Sequence, residues 1–200
     1  NDEYIGDYLM GKSKDLATLA TNGLTTLKAT NLEADTIKNS SGTSAISINS
    51  SGVITKNVVP AWRVSLISTQ NISNSGNRVT VLWDDTTSDN FNFLQGGCTL
   101  SSGVITVPVT GFYQCNVVTR YDSIGGGYIV TRIVKNNDES NKRELYVIGG
   151  SPSSNYDNLT GGDVFSCTAG DTLSVTVYSS GDSSWTIDSS GSKFSGFLIG

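Results

Sequence analysis

The chain has 200 residues, a formal net charge of −5 and no histidine. Its length is enough for one or two domains, its acidity argues against a protein that follows nucleic-acid phosphates, and the lack of histidine removes the commonest general base and transition-metal ligand. Few charged residues and 22 glycines favour short strands joined by turns over helices.

Residues 1–58 predict an N-terminal anchor followed by an extended stem. Apolar residues recur singly among Thr, Asn, Ser and Gly, and no window holds enough apolar mass for a core within one chain. Two interpretations remain, a disordered linker or a stem in which three chains intertwine and bury one another's apolar side chains, and the recurrence favours the stem. The residues expected in the stem core are Leu27, Leu32, Ile37, Ile46 and Ile48.

One hexapeptide occurs twice in the chain. Residues 50–55 and residues 101–106 both read Ser-Ser-Gly-Val-Ile-Thr. Each copy is typical of a turn that leads into an apolar strand, and such a short pattern arises independently. We therefore interpret it as a local turn-and-strand signal and not as the period of a solenoid.

Residues 59–200 predict an antiparallel β-sandwich of eight to ten strands. Apolar and polar residues alternate in several segments that are separated by turn residues, which is typical of strands with one buried face. The residues expected on the buried face are Trp62, Val64, Leu66, Val79, Val81, Trp83, Tyr113, Cys115, Val117, Ile129, Thr131, Ile133, Leu145, Val147, Leu173, Val175 and Val177.

The cysteine spacing and the hydropathy of the chain argue against several further classes of protein. Cys98, Cys115 and Cys167 lack the CxxC spacing of a metal site, and an odd number of cysteines cannot pair completely in one chain. Cys115 lies in an apolar strand pattern, which favours a buried thiol over a disulfide. No run approaches the about 20 apolar residues of a membrane span, and no signal-peptide pattern occurs. The first residue is Asn1 and not Met, which is typical of a fragment or a processed product.

Acidic loop residues are the candidates for catalytic or metal chemistry. A glycosidase needs two carboxylates about 5–9 Å apart in a cleft, whereas acids in loops rich in Ser, Thr and Gly are typical of solvated turns. We favour the second interpretation and predict no catalytic residue, no resident cofactor and no metal site, with Ca²⁺ held by oxygen ligands as the weaker alternative. The aspartates concerned are Asp84, Asp85, Asp89, Asp182 and Asp188.

Four aromatic residues lie in or beside polar loops. Aromatic rings flanked by Asn, Asp and Ser are suited to a shallow site for a sugar or a protein. The alternative is that these rings anchor loops or end strands. The candidate receptor-binding residues are Tyr121, Tyr146, Tyr156 and Trp185.

Residues 60–200 resemble the globular head of complement C1q and its relatives similar to tumour necrosis factor (TNF). The segment 103–113 is similar to a family signature in which an apolar stretch is followed by Pro, Gly and Tyr. The segment 133–137 resembles the strand that ends in a Lys-Asn turn, and the segments 169–175 and 194–198 resemble the closing pair of strands. These pieces occur in the family's order.

The resemblance implies a ten-strand jelly roll that assembles as a compact homotrimer. Outward-facing apolar residues would then form the contact between subunits, although some of them are equally compatible with the core of the second sheet. The candidate interface residues are Phe112, Val118, Tyr128, Val130, Phe197 and Ile199.

A slender stem followed by a C-terminal trimeric head also resembles bacteriophage fibres and other viral appendages. We therefore expect a non-catalytic virion fibre or spike protein, attached to other virion proteins by its N-terminal segment, whose head binds a glycan or protein on the host surface. We expect neither binding to nucleic acid nor insertion into a membrane. The expected location is the virion surface, after assembly in the host cytoplasm. The alternatives are a capsid decoration or head-fibre protein, a bacterial surface adhesin and a polysaccharide depolymerase.

Overall fold

The computed structural model describes residues 36–38, 41, 44–56, 59–73, 77–87, 91–122, 127–148, 157–181 and 183–199. All regular structure in these residues is β-strand, and none of them forms a helix that is long and apolar enough to cross a membrane. The chain divides into two compact units, Asn1–Thr55 and Lys56–Gly200. We refer to the second as the jelly-roll unit.

The first unit contains a sheet of three short strands, of which the first two are antiparallel. The three strands are β1 (Thr36–Lys38), β2 (Ser44–Ile48) and β3 (Ile54–Lys56), in that spatial order. Ile37 lies opposite Ile46, and the register shifts just after Ile37. Ile37 and Ile48 remain 44% and 37% exposed, so these two predicted stem-core side chains are not buried within one chain. Leu27 and Leu32 lie outside the described residues.

The jelly-roll unit contains thirteen strands. In chain order they are β4 (Ala61–Ser65), β5 (Gln70–Ser73), β6 (Val79–Thr80), β7 (Phe93–Gln95), β8 (Thr99–Ser101), β9 (Val104–Thr106), β10 (Gly111–Asp122), β11 (Tyr128–Lys135), β12 (Lys142–Ile148), β13 (Asp157–Cys167), β14 (Thr172–Ser179), β15 (Ser184–Ile187) and β16 (Lys193–Leu198).

These strands form two antiparallel sheets. The seven-stranded sheet has the order β5-β15-β10-β16-β4-β7, with β13 paired to the other edge of β10. The six-stranded sheet has the order β12-β11-β14-β9-β8, with β6 also paired to β14. The strand count exceeds the eight to ten expected because the structure breaks longer stretches: β15 and β16, for example, follow one another along the same edge of β10. The predicted antiparallel sandwich is confirmed.

The core lies between the two sheets and is built from alternate residues. Val64, Ile105, Tyr113 and Phe194 are all fully buried, because an extended strand points every second side chain to the same side. Every described side chain that the alternation predicted to be buried is buried, except that Val79 is only partly so. The strand β12 contains Leu145 and Val147, whose side chains lie outside the description.

Aromatic packing fills the core, and one buried polar cluster connects the two sheets. Trp62 packs edge-on against Phe194, with 5.6 Å between ring centroids. Thr119 of β10 bonds Thr131 of β11 at 2.7 Å, and the hydroxyl of Tyr121 bonds both threonines. Because buried hydroxyls are costly when unpaired, this cluster favours one register between the sheets.

The repeated hexapeptide forms two different turns. In the first copy the side chain of Asn49 accepts hydrogen bonds from the amides of Ser51 and Val53, at 3.0 and 2.9 Å. In the second copy two residues with positive φ, Ser102 (50°) and Gly103 (78°), connect β8 directly to β9. The residue before the hexapeptide is Asn in one copy and Leu in the other, and only Asn carries an oxygen that caps a turn.

Candidate self-association surface

The outward side of the seven-stranded sheet presents an apolar surface. On β10 the core-facing residues Tyr113, Cys115 and Val117 alternate with outward ones, so Phe112 and Val118 point away from the core. We use the name apolar face for the outward side of this sheet around Phe93, Val109, Phe112, Val164, Phe197 and Ile199.

The register of the strands brings these residues together. Phe197 lies opposite Gln114, which in turn lies opposite Val164 on the next strand. Ile199 donates its amide to the carbonyl of Phe112 at 2.8 Å, which places the two residues side by side. Apolar side chains from three adjacent strands therefore share one patch.

The apolar face remains half exposed in the single chain. The exposed fractions are 41% for Phe93, 42% for Val109, 55% for Phe112, 44% for Val164, 48% for Phe197 and 56% for Ile199. Complete burial of a large apolar side chain contributes about 1.5–3 kcal/mol, so covering these six would contribute roughly 5 kcal/mol per copy. Contiguous apolar patches of this kind mark interaction sites more often than free surface.

Two charged residues on this side of the sheet are Arg63, which lies opposite Phe93 on β7, and Arg120. Arg63 lies over the ring of Phe91, 5.2 Å from its centroid, and donates to the Asn92 side chain at 2.9 Å. Arg120 lies at the opposite end of β10, 3.9 Å from Asp188. The middle of the sheet carries uncharged polar residues, with Asn116 opposite Ser195. An apolar patch with a polar surround is the usual anatomy of a protein interface.

Four of the six predicted interface residues share this side of the sheet, and two do not. Phe112, Val118, Phe197 and Ile199 lie on it, whereas Tyr128 and Val130 belong to β11 of the other sheet. Val130 is only 1% exposed. The expectation that all six form one face is therefore wrong: β11 belongs to the other sheet, and its residues 129–134 are buried on both sides of it.

Tyr128 packs elsewhere. Its ring lies 5.9 Å from that of Tyr178, which lies on the adjacent strand β14 opposite Val130. It is 39% exposed on the outer side of the six-stranded sheet, so it belongs to a different surface from the apolar face.

Two of the predicted receptor-binding aromatics are core residues. Tyr121 and Trp185 are each 1% exposed, and their rings pack together with 5.3 Å between centroids. Burial raises the pKa of the Tyr121 hydroxyl. Neither ring faces solvent, so their prediction as a binding surface is wrong. Tyr146 lies in β12 with its side chain outside the description, and Tyr156 lies outside the described residues.

The described loop aspartates stabilise turns. Asp85 is buried and accepts the Ser65 hydroxyl at 3.1 Å. Asp188 accepts the amide of Ser190 at 2.8 Å, and hydrogen bonds from Ser190, with a smaller contribution from Arg120, hold the pKa of Asp188 below its usual value. Among the described residues no group of three or more His, Cys, Asp or Glu is placed to hold a metal ion. Asp89 and Asp182 lie outside the described residues.

A further carboxylate joins two turns at one end of the sandwich, and no sequence pattern marks it as functional. Asp171 accepts the Asn136 amide group at 2.8 Å, the Thr168 amide at 2.8 Å and the Lys135 ammonium at 3.0 Å. These bonds lower the pKa of Asp171 to about 2, and the bond from Asn136 contributes most. Asn136 also accepts the amide of Thr172, so the β11–β12 turn is held to the β13–β14 turn.

The three cysteines are free and buried. Burial raises the pKa of the Cys98 thiol to about 11 and also raises the pKa values of Cys115 and Cys167. A thiol reacts mainly as the thiolate, so none of the three is placed to act as a nucleophile.

Comparison with known proteins identifies the fold. No family model and no curated protein matches the sequence. Solved structures do match: Eiger TNF from S. frugiperda has a TM-score of 0.53 and 17% identity, over 72% of this chain and 94% of that one. Murine APRIL at pH 5.0 has a TM-score of 0.51 and 12% identity, over 70% and 99%.

The globular domain of zebrafish complement 1qA matches at a TM-score of 0.50 and 20% identity, over 70% of this chain and 98% of that domain. At these identities the similarity establishes the fold alone. The predicted all-β jelly roll of the C1q and TNF type is confirmed.

Proposed function

We propose that this chain is a non-catalytic, self-associating head protein, a homotrimer whose jelly-roll units pack through the apolar face. The single observation that carries the proposal is the exposure of Phe112, Phe197 and Ile199, at 55%, 48% and 56%, side by side on one sheet. The resemblance to C1q and TNF heads supports three as the number of copies.

The polar residues of the same sheet favour a specific subunit contact over non-specific hydrophobic association. Gln114 and Asn116 interrupt the apolar residues along β10, and buried amides need partners in a fixed geometry. A subunit that docks in the wrong register leaves them unpaired, which disfavours disordered aggregation through this face.

The exposed isoleucines of the first unit agree with the same assembly. Ile37 and Ile48 are 44% and 37% exposed on a sheet of only three short strands, and so small a sheet is marginal without a further apolar partner. Three parallel copies of the stem would supply that partner, while the heads associate through their apolar faces.

The role proposed for this assembly is attachment of a virus particle, most simply a bacteriophage, to the surface of its host. Three identical weak sites on one rigid trimer gain avidity without catalysis. The support is the stem-and-head organisation of the sequence together with the exposed apolar face through which three heads would associate. The virion location, the partner proteins of the N-terminal segment and the glycan or protein receptor are parts of this proposal.

Light scattering on the full chain after gel filtration tests the assembly. The expected mass is three times the 21.1 kDa of one chain. Phe112→Glu and Phe197→Glu should each give a folded species of lower mass. Ile67→Glu is the matched control, because Ile67 is 67% exposed outside the apolar face, and should remain trimeric. A stable monomer of the parent protein contradicts the proposal.

Binding to cell envelopes tests the role. The labelled full chain should adhere to the envelope of a host bacterium, and genes for virion structural proteins should neighbour its gene. Binding to capsids in place of envelopes would identify a decoration protein. Hydrolysis of capsular glycan that is abolished by Asp84→Asn or Asp188→Asn would contradict a non-catalytic role.

A further inference from the structure

We propose that the edge of the sandwich beside Trp83 is a binding site for a small amphipathic amine. A groove of about 640 Å³ opens there, within the range of about 300–1,000 Å³ that is usual for small-molecule sites. We call it the edge groove. It lies where the terminal strands of the two sheets, β7 and β8, are joined by a short turn.

The groove has a fixed wall. The extended segment from Val81 to Asp84 crosses between the sheets, since Val81 donates its amide to Val175 of β14 at 2.9 Å and Asp84 donates its amide to Ser65 of β4 at 3.1 Å. A Cβ on Gly103 would lie 2.1 Å from the carbonyl oxygen of Val81. The β8–β9 hairpin therefore packs backbone to backbone against this segment, which holds the groove open before a ligand arrives.

The apolar lining favours a ligand with an apolar group. Leu82 is 50% exposed, while Leu94 and Leu100 are partly buried against the core, and all three line the groove. An aliphatic or aromatic group of modest size would cover these leucines and gain the free energy of their burial.

Trp83 is the aromatic residue of the groove lining. It forms part of the lining, its ring stacks on Phe194, and it is 1% exposed. Its indole N–H has no hydrogen-bond partner among the described residues. That nitrogen is buried, and Trp62 carries a second unpaired indole N–H away from the groove, so Trp83 serves here as the residue that reports binding.

The charge of the groove determines which polar group the ligand should carry. Asp84 is the charged residue of the lining, which contains no Lys or Arg among the described residues. One oxygen of its carboxylate accepts the Ile67 amide at 2.8 Å, which orients the group. A carboxylate at the mouth of an apolar groove attracts an ammonium group and repels a carboxylate. The chemistry of the site therefore favours an amine over an alcohol, and an alcohol over an acid of the same chain length.

Fluorine NMR of the full chain labelled with fluorotryptophan tests the site, because the protein has three tryptophans. Hexylamine should shift the Trp83 signal in a saturable way and leave the signals of Trp62 and Trp185, which do not line the groove, in place. Hexanol should bind about tenfold more weakly, the loss expected for one charge-assisted hydrogen bond, and hexanoate more weakly still.

Two variants make the test specific. Asp84→Asn keeps an oxygen for the Ile67 amide and should lower the affinity for hexylamine to that for hexanol. Asp157→Asn, an exposed acid at the start of β13, is the matched control and should change nothing. A Trp83 signal that no probe moves, or three tryptophan signals that move together, overturns the site. Equal affinity for amine and alcohol, or no effect of Asp84→Asn, overturns the assignment of the ligand as an amine.

Discussion

Replacement of Gly196 by alanine is expected to lower the free energy of unfolding of the jelly-roll unit by about 2–3 kcal/mol, the upper part of the range for an overpacked core. Gly196 lies on β16 directly opposite Trp62 of β4. A Cβ at this position would lie 2.4 Å from Cζ2 of the Trp62 indole, 2.5 Å from Cη2 and 2.9 Å from the Gln114 carbonyl oxygen.

The magnitude follows from how little the indole can move. Carbon atoms in contact sit about 3.5–4.0 Å apart, so the Trp62 ring would have to shift by roughly 1 Å. It is 1% exposed and packs against Phe194 and Tyr113, with centroids at 5.6 and 6.1 Å. In a close-packed interior the shift of the Trp62 ring displaces the neighbouring rings as well. The strain is therefore distributed over the aromatic core and still lowers the stability.

Urea unfolding at one fixed protein concentration, followed by fluorescence, measures the effect. Trp62→Phe alone should cost about 2 kcal/mol by truncation. In combination with Gly196→Ala it should cost at least 1 kcal/mol less than the sum of the two, because phenylalanine lacks the clashing part of the indole. A Gly196→Ala protein within about 0.5 kcal/mol of the parent, or strict additivity in the double variant, would refute the reasoning.

Three further predictions concern other parts of the jelly roll. The pKa of Asp171 is lowered to about 2 from 3.8, so the stability that its carboxylate contributes is present above pH 4 and is lost as the pH falls towards 2. Asp171→Asn should lower the free energy of unfolding at pH 7 by about 1 kcal/mol, a value reduced for solvent screening. The same variant should lose less stability than the parent between pH 4 and pH 2. Gly103→Ala, whose Cβ would lie 2.1 Å from the Val81 carbonyl oxygen, should destabilise the jelly roll by more than about 2 kcal/mol, whereas Gly52→Ala, which has a similar φ and nothing within 4 Å, should not change its unfolding. All three thiols should resist a thiol reagent at pH 8 in the folded protein, since burial raises their pKa values, and should react once urea unfolds the chain; rapid reaction of the folded protein would contradict their burial.

The fold could be predicted from the sequence because alternation is a local property. Tyr113, Cys115 and Val117 are buried as expected. The same phase runs on to Tyr121, which is buried too. Its place in the alternation determines its burial, and its polar neighbours in the sequence do not. Phe112 has the opposite phase and is exposed. Phase along a strand was thus a better predictor of exposure than the composition of the nearby loop.

Other features depend on contacts that a single sequence does not contain. Val130 is buried on the outer side of its sheet, where it lies opposite Tyr178 of β14, and no pattern within β11 shows which residue of another strand it meets. The edge groove depends on a segment that bonds to both sheets, and no local pattern marks that path. The two copies of the hexapeptide show the same limit, since one residue outside the repeat decides which turn each copy forms.

Strand β7 connects the two surfaces for which we propose functions. Phe93 points outward and contributes to the apolar face, while the next residue, Leu94, points inward and lines the edge groove. Adjacent residues of a strand lie on opposite sides of the sheet, so a substitution at either position alters one surface directly and the other only through the backbone. Phe93 is therefore the position in this strand that tests subunit contact, and Leu94 the one that tests ligand binding. Deletion of the strand would remove both surfaces and distinguish neither.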